Sequence, residues 1–451
     1  VGAVLCGGVG VGARAPPCIG GWIPWLGATL RFGKAPLEFI EQTRVEYGPI
    51  FTVLTVGKRL TFVTEVDDFK IFFGSKDVDF QQAVQDPVEH TASITKHSFY
   101  KHHTEIHDMM KRRLALSNLH LFIGNLSEEF TERLTYLGTE GTDDLCDLVR
   151  HSMYSAVVNQ LFGRGICITD GNAVREFEDH FKIFDKGFEY GSQLPEFLLK
   201  NWSKSKHWLL SLLEGAATKA GKTMPADSDS KTLLQHLLDI VDGKFGPNYV
   251  LLMLWASQAN ALPITFWSLA FIISDPSIYK TVMKELCSVF DSQADKTIKV
   301  SETDLRKLPY LKWCILEAIR LRSPGAIARK VVRPLKIKNY IVPPGDILML
   351  SLFWAHRNPK YFPEPEKFLP ERWKEADLEK HVFLNGFIGF GGGRYQCPGR
   401  WFALMEIQLF IALILYKYEF TLLDSVPKQS PLHLVGTQQP MGPCRVRYRS
   451  R

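Results

Sequence analysis

The sequence predicts a mainly α-helical fold with a minor β component, and three observations carry that prediction. Apolar residues recur at helical spacing over residues 142–162, 204–213, 232–241 and, in the longest run, 249–274. The β-rich runs are short and few. Neither a repeat of fixed period nor a Ser/Gly linker divides the chain, so residues 19–451 are expected to form one domain. A hydrophobic fraction of 45% beside 23% charged residues is that of a globular protein with a large core.

Residues 1–13 are apolar or small, but Gly2, Gly7, Gly8, Gly10 and Gly12 interrupt them. A membrane span needs about 20 apolar residues, so this stretch alone does not cross a bilayer. Arg14 and the stiff Ala15-Pro16-Pro17 follow. Residues 1–18 are either the remnant of a membrane anchor with a proline hinge or a disordered terminus. Pro36 opens a helix over 37–47, which Gly48-Pro49 stops. Residues 50–56 and 60–64 flank Gly57-Lys58 as a hairpin. In the 249–274 helix, Pro263 removes a backbone hydrogen bond and predicts a bend. Short extended pieces at 328–332 and 347–350 then sit among the proline-rich coil of 359–373.

The 54 basic and 48 acidic residues leave a net charge of +6, without a basic block of the kind that binds nucleic acid. A mild surplus suits an acidic protein partner or anionic lipid. The eight cysteines lack C-x-x-C pairs and are expected to be reduced thiols. One of them stands apart. Phe390-Gly391-Gly392-Gly393-Arg394-Tyr395-Gln396-Cys397-Pro398-Gly399 joins a glycine-rich loop to an apolar helix over 401–416. A thiolate just before a helix meets backbone N–H groups and the positive helix end, which favour the anion. With 30 Phe, 34 Gly and 8 Cys in the chain, composition alone gives roughly 0.003 matches to F-x-x-G-x-x-x-C-x-G. Taken by itself, the loop is either an iron-ligand loop or a buried structural cysteine after a glycine turn.

Two further matches bear on that choice. Glu317 and Arg320 lie one turn apart on an apolar helix over 311–321, where an isolated pair would be an ordinary salt bridge. Pro370-Glu371-Arg372-Trp373 supplies a second arginine before the cysteine loop. This ordered set, with Cys397 77 residues beyond Arg320, resembles the cytochrome P450 family from about Pro16 onward. The resemblance implies a triangular, mainly helical prism with a small sheet at one edge. It makes Cys397 the axial ligand of haem b, with Phe390, Gly393, Arg394 and Gly399 in the loop around the cofactor. It makes Glu317, Arg320 and Arg372 a scaffold triad and Arg329 a partner of a haem propionate. In such enzymes a thiolate ligand pushes electron density onto iron and promotes O–O cleavage.

The sequence departs from the family at several positions. Tyr395 stands two before the cysteine, where Arg or His is usual, with Arg394 one residue early. The usual tryptophan is not evident in 102–113, which carries Lys111-Arg112-Arg113 instead. On the long helix Ala259 and Asn260 occupy the positions of the family's acid–alcohol pair, so proton delivery must be rearranged. An amide both donates and accepts, so Asn260 is either a catalytic group holding water or a substrate hydroxyl, or a polar contact between helices.

The segment from Trp255 to Asn260, with Pro263 and Phe266-Trp267, is similar to the sterol 7α/12α-hydroxylase and prostacyclin synthase clan. Gly21-Trp22-Ile23-Pro24-Trp25, Tyr190-Gly191-Ser192-Gln193-Leu194-Pro195, Trp401-Phe402-Ala403-Leu404 and Leu432-His433-Leu434-Val435-Gly436 look like its oxysterol 7α-hydroxylases. That likeness implies NADPH- and dioxygen-dependent hydroxylation of an oxysterol in cholesterol catabolism and bile acid synthesis. It also implies electrons from NADPH–cytochrome P450 reductase and a place on the endoplasmic reticulum membrane, in contact with lipid, with the catalytic domain facing the cytosol. The substrate contacts it implies are Ala256, Asn260, Ala326, Ile327, Val435 and Gly436. The sequon Asn201-Trp202-Ser203 is expected to be unused on that side of the membrane. Asn260 in place of the alcohol equally suggests an electron-independent isomerase, and the altered proton-delivery positions a haem or sterol carrier.

Overall fold

The computed structural model describes residues 14–21, 27–168, 171–225, 227, 230–241, 243–291, 299–376 and 383–451. The stretch 1–13 and most of the Gly21–Trp25 segment lie outside them. Helix dominates, as the periodicity predicts.

Eleven helices position the site: α1 (Pro36–Tyr47), α2 (Phe80–Ala92), α3 (Lys96–Arg113), α4 (His120–Thr135), α5 (Leu145–Phe162), α6 (Asn172–Lys186), α7 (Lys200–Lys222), α8 (Gly246–Gln258), α9 (Ala261–Ser274), α10 (Pro309–Arg322) and α11 (Arg400–Lys417). The run expected to begin at 142 starts as a strand, Glu140–Asp144, and turns helical where Asp144 caps the N–H groups of Cys146 and Asp147. Apolar α9 packs against α5, α10 and α11, and its buried face includes Phe266, Trp267 and Leu269. The stretches Gly246–Ser274 and Gly393–Lys417 are long and apolar enough to cross a membrane, yet both are mostly buried inside the protein.

Six strands form the sheet at one edge: β1 (Cys18–Ile19), β2 (Ile50–Thr55), β3 (Lys58–Val63), β4 (Val78–Asp79), β5 (Ile327–Val331) and β6 (Ile347–Leu350). Their spatial order is β1-β2-β3-β6-β5-β4. The β2–β3 hairpin pairs Thr55 with Lys58. Its two-residue loop is therefore Val56-Gly57, one residue earlier than expected, with φ of 47° and 70°. Small sheets of three and two strands complete the β content of the described residues.

The long helix is broken, but not at its proline. α8 stops at Gln258, and α9 resumes at Ala261 after Asn260 at φ −108°. Pro263 lies within the first turn of α9. It has no N–H to bond the carbonyl of Ala259, so its effect falls four residues upstream.

Candidate haem-thiolate site

A cavity of about 1250 Å³ opens between the sheet, α2, the cysteine loop and the C-terminal segment, with Cys397, Phe390, Arg329 and Tyr395 in its wall. Cys397 is held by its own N–H, which donates to the Phe390 carbonyl at 2.9 Å. Gly393, at φ 69°, passes so close to Phe73 that an added Cβ would meet the Phe73 carbonyl oxygen at 2.8 Å. Only glycine fits there. Burial pushes the Cys397 thiol up, while the N–H groups of Gly399 and Arg400 and the Arg400 charge favour the thiolate. Pro398 precedes the helix, whose cap is Gly399.

Arg329, on β5, is 5% exposed. Its guanidinium donates to the Ala328 carbonyl at 2.8 Å and lies over the Phe80 ring at 5.0 Å. Among the described residues no carboxylate pairs with it, and burial pulls its pKa below the usual arginine value. A buried cation facing a cavity without an acid partner suits an acidic group brought by a ligand. Tyr395 stacks on Phe80 at 4.5 Å, and His103 and His107 of α3 pack beside that pair at 5.8 and 5.7 Å from Tyr395. Arg394 instead stands exposed with its guanidinium toward the Tyr395 ring, outside the cavity wall, so the structure does not bring it to the cofactor side.

Four residues donate to Glu317, the Leu369 N–H at 3.0 Å among them. Arg320 reaches its two oxygens at 2.9 and 2.7 Å, Arg372 at 2.9 Å and the Trp373 indole at 3.0 Å. Arg320 also donates to the carbonyls of His356, Pro365 and Lys367. Glu317 and Arg320 are wholly buried, so the pair is no surface salt bridge. It staples α10 to the coil that leads into the cysteine loop.

Of the substrate candidates, Ala326, Ile327 and Val435 line the cavity, whereas Ala256, Asn260 and Gly436 lie outside its wall. Asn260 is committed elsewhere, because its Oδ1 accepts from the Thr437 N–H at 3.0 Å and the Thr437 hydroxyl at 3.1 Å. The oxygen expected to hold water or substrate is thus occupied, and only the NH2 side is left. Sequence reasoning missed Glu189, which lines the cavity and accepts the N–H groups of Leu434, Val435 and Gly436 at 3.0, 2.8 and 3.4 Å. No local pattern marks it, since its partners lie some 245 residues away. Phe80, His103 and His107 were missed for the same reason.

The cytochrome P450 family model matches residues 16–444. The chain belongs to the cytochrome P450 family. It is 56% identical over 439 residues to the mouse 24-hydroxycholesterol 7-alpha-hydroxylase, spanning 97% of this chain and 93% of that protein. The human 24-hydroxycholesterol 7-alpha-hydroxylase is 55% identical, over 97% of this chain and 94% of its own length. Mouse cytochrome P450 7B1 is 27% identical over 97% and 91%. Among solved structures, the retinoic acid-bound cyanobacterial CYP120A1 superposes with a TM-score of 0.79 at 20% identity, covering 97% of this chain and all of that one. That likeness speaks to the fold.

As a P450 monooxygenase, the protein uses haem b and draws electrons from a redox partner. The residues present fit the group. Among the described residues no cluster of three or more His, Cys, Asp or Glu side chains forms a protein-only metal site. Cys397 would offer haem b its sulfur, the glycine cradle at Gly393 would let the backbone approach a flat group closely, and the buried Arg329 would face that group's carboxylates.

Proposed function

We propose that this P450 hydroxylates 24-hydroxycholesterol at the 7α position, in cholesterol catabolism leading to bile acids. The observation that carries the reading is Cys397 in the wall of a cavity larger than a single ligand needs, in a chain more than half identical along nearly its whole length to two 24-hydroxycholesterol 7-alpha-hydroxylases. Ligand pockets commonly run to roughly 300–1,000 Å³, so about 1250 Å³ accommodates a flat macrocycle together with a rigid tetracyclic sterol. Phe32, Leu60, Ile327, Met349 and Leu434 give the wall its apolar character.

Cys397 would supply the sulfur that holds the haem iron, and Arg329 would neutralise a propionate. Phe390 and Gly393 shape the loop, and Gly399 turns its N–H toward the sulfur. Bound there, haem b supplies the activation of dioxygen that inserts oxygen into a C–H bond. The triad of Glu317, Arg320 and Arg372 keeps the coil before that loop in register. Ala326, Ile327 and Val435 orient the sterol, and Glu189 ties the Val435 segment to the short helix Phe188–Gly191. Asn260 offers its amide NH2 at the helix break.

The catalytic domain takes in the edge sheet from its first strand, Cys18–Ile19, which pairs with β2, and runs to residue 451. The domain sits on the cytosolic face of the endoplasmic reticulum, in contact with lipid, and takes electrons from NADPH–cytochrome P450 reductase. The test is incubation of purified, haem-loaded protein with reductase, NADPH and 24-hydroxycholesterol. A 7α-hydroxylated product formed only with NADPH supports the reading. Turnover of an endoperoxide without NADPH would replace it with an isomerase.

A further inference from the structure

The long helix has Ala259 where an acid is usual, yet a carboxyl group stands close by on another element. Gln258, Ala259, Leu262 and Pro263 form one wall of a small chamber of about 20 Å³, room for a single water. The opposite wall is made by Lys182 and Asp185 of α6 and Cys146 and Arg150 of α5. Two features call for a water there. Gln258 is 1% exposed, and among the described residues its Oε1 has no hydrogen-bond partner, a cost that a bound water would remove. In the same wall, Pro263 has no N–H to close on the Ala259 carbonyl.

Asp185 is fixed toward the break. Its Oδ1 accepts from the Trp255 indole at 2.9 Å, and that indole is stacked on Phe188 at 3.7 Å. Burial pushes the Asp185 carboxyl up to about 6, with Arg150 pulling it down and Glu189 pushing it up. Lys182 and Cys146 are the other titratable groups facing the chamber. A carboxyl in that range gains and loses protons readily near neutral pH. The residue as a whole is half-buried.

We infer that Asp185 replaces the acid missing from the long helix, passing protons from solvent through a water held by Gln258 and the Ala259 carbonyl, across the helix break, to the dioxygen being reduced. The inference rests on the monooxygenase reading. Each turnover consumes one dioxygen, two electrons from the redox partner and two protons. One oxygen atom enters the substrate C–H bond and the other leaves as water. Asp185 carries the protons and is itself neither oxidised nor reduced. It is a positioning and relay residue.

The test uses the holoenzyme with reductase, scoring product formed per NADPH and hydrogen peroxide released across about pH 6–8. The carboxyl infrared band, titrated without turnover, provides a separate readout. Wild-type coupling should fall as pH rises above about 6, as the carboxyl loses its proton. Asp185→Asn should keep the thiolate–carbon monoxide band and oxidise NADPH. It should lose product per NADPH roughly tenfold, release more peroxide, flatten the pH profile and remove the titrating infrared band. Asp185→Glu, and Ala259→Asp in the Asp185→Asn background, should each restore coupling. An Asp185→Asn enzyme with wild-type coupling and pH profile overturns the inference, as does an Asp185→Glu enzyme that falls just as far. A wild-type protein lacking the thiolate band or idle with NADPH sinks the monooxygenase reading instead.

Discussion

At the scale of single residues, the site depends on charges placed where water is scarce. Arg329 is buried and waiting for an acid, so Arg329→Ala should weaken haem retention about tenfold, about 1.4 kcal/mol, in transfer of haem to apomyoglobin. Two histidines resist protonation. Burial pulls His103 down to about 4, helped by His107, and pulls His356 down to about 3, helped by Arg320 and Arg357. Both folded values lie below the unfolded value near 6.5, so the unfolded chain binds more protons between the two. Stability is therefore full above about pH 6.5 and is lost as pH falls toward 4 and 3. Thermal midpoints measured downward from pH 7 should drop through that window, and His103→Phe should lessen the drop. The cysteine loop was legible in the sequence because its chemistry is local. Glu189, Phe80 and Asp185 were not, because their roles come from partners far along the chain.

At the scale of elements, the broken helix and the buried staple matter most. Pro263 signalled a disruption, and the structure moves it to Ala259 and Asn260 because a missing N–H is felt at the carbonyl four residues earlier. Taken alone, Glu317 and Arg320 read as an ordinary i, i+3 salt bridge, and it is the resemblance that adds Arg372 to them. Only Arg372, Trp373 and three coil carbonyls, brought in by tertiary contact, make them a buried network. Breaking one partner of such a pair costs about 3–5 kcal/mol. Glu317→Gln should lower the denaturation midpoint accordingly and yield protein poor in haem. At the short helix Phe188–Gly191, Glu189→Ala frees the N–H groups of Leu434, Val435 and Gly436. Their amide exchange should quicken about tenfold or more, as expected for the loss of bonds to a charged acceptor.

At the scale of the whole molecule, the helical prism, the edge sheet and the cavity make one arrangement. The sheet and the C-terminal segment wall the substrate side, and α11 sets the cysteine from the other. Helical periodicity and the order of three motifs made the fold legible, whereas the cavity's boundaries depend on register and packing that a single sequence does not display. The central claim is a thiolate from Cys397 on haem iron. The spectrum of the purified, reduced, carbon monoxide-treated protein tests it most directly. The account predicts the red-shifted band of thiolate ligation in the wild type and its loss in Cys397→Ala. A wild-type spectrum of nitrogen ligation, or one without bound porphyrin, would contradict it.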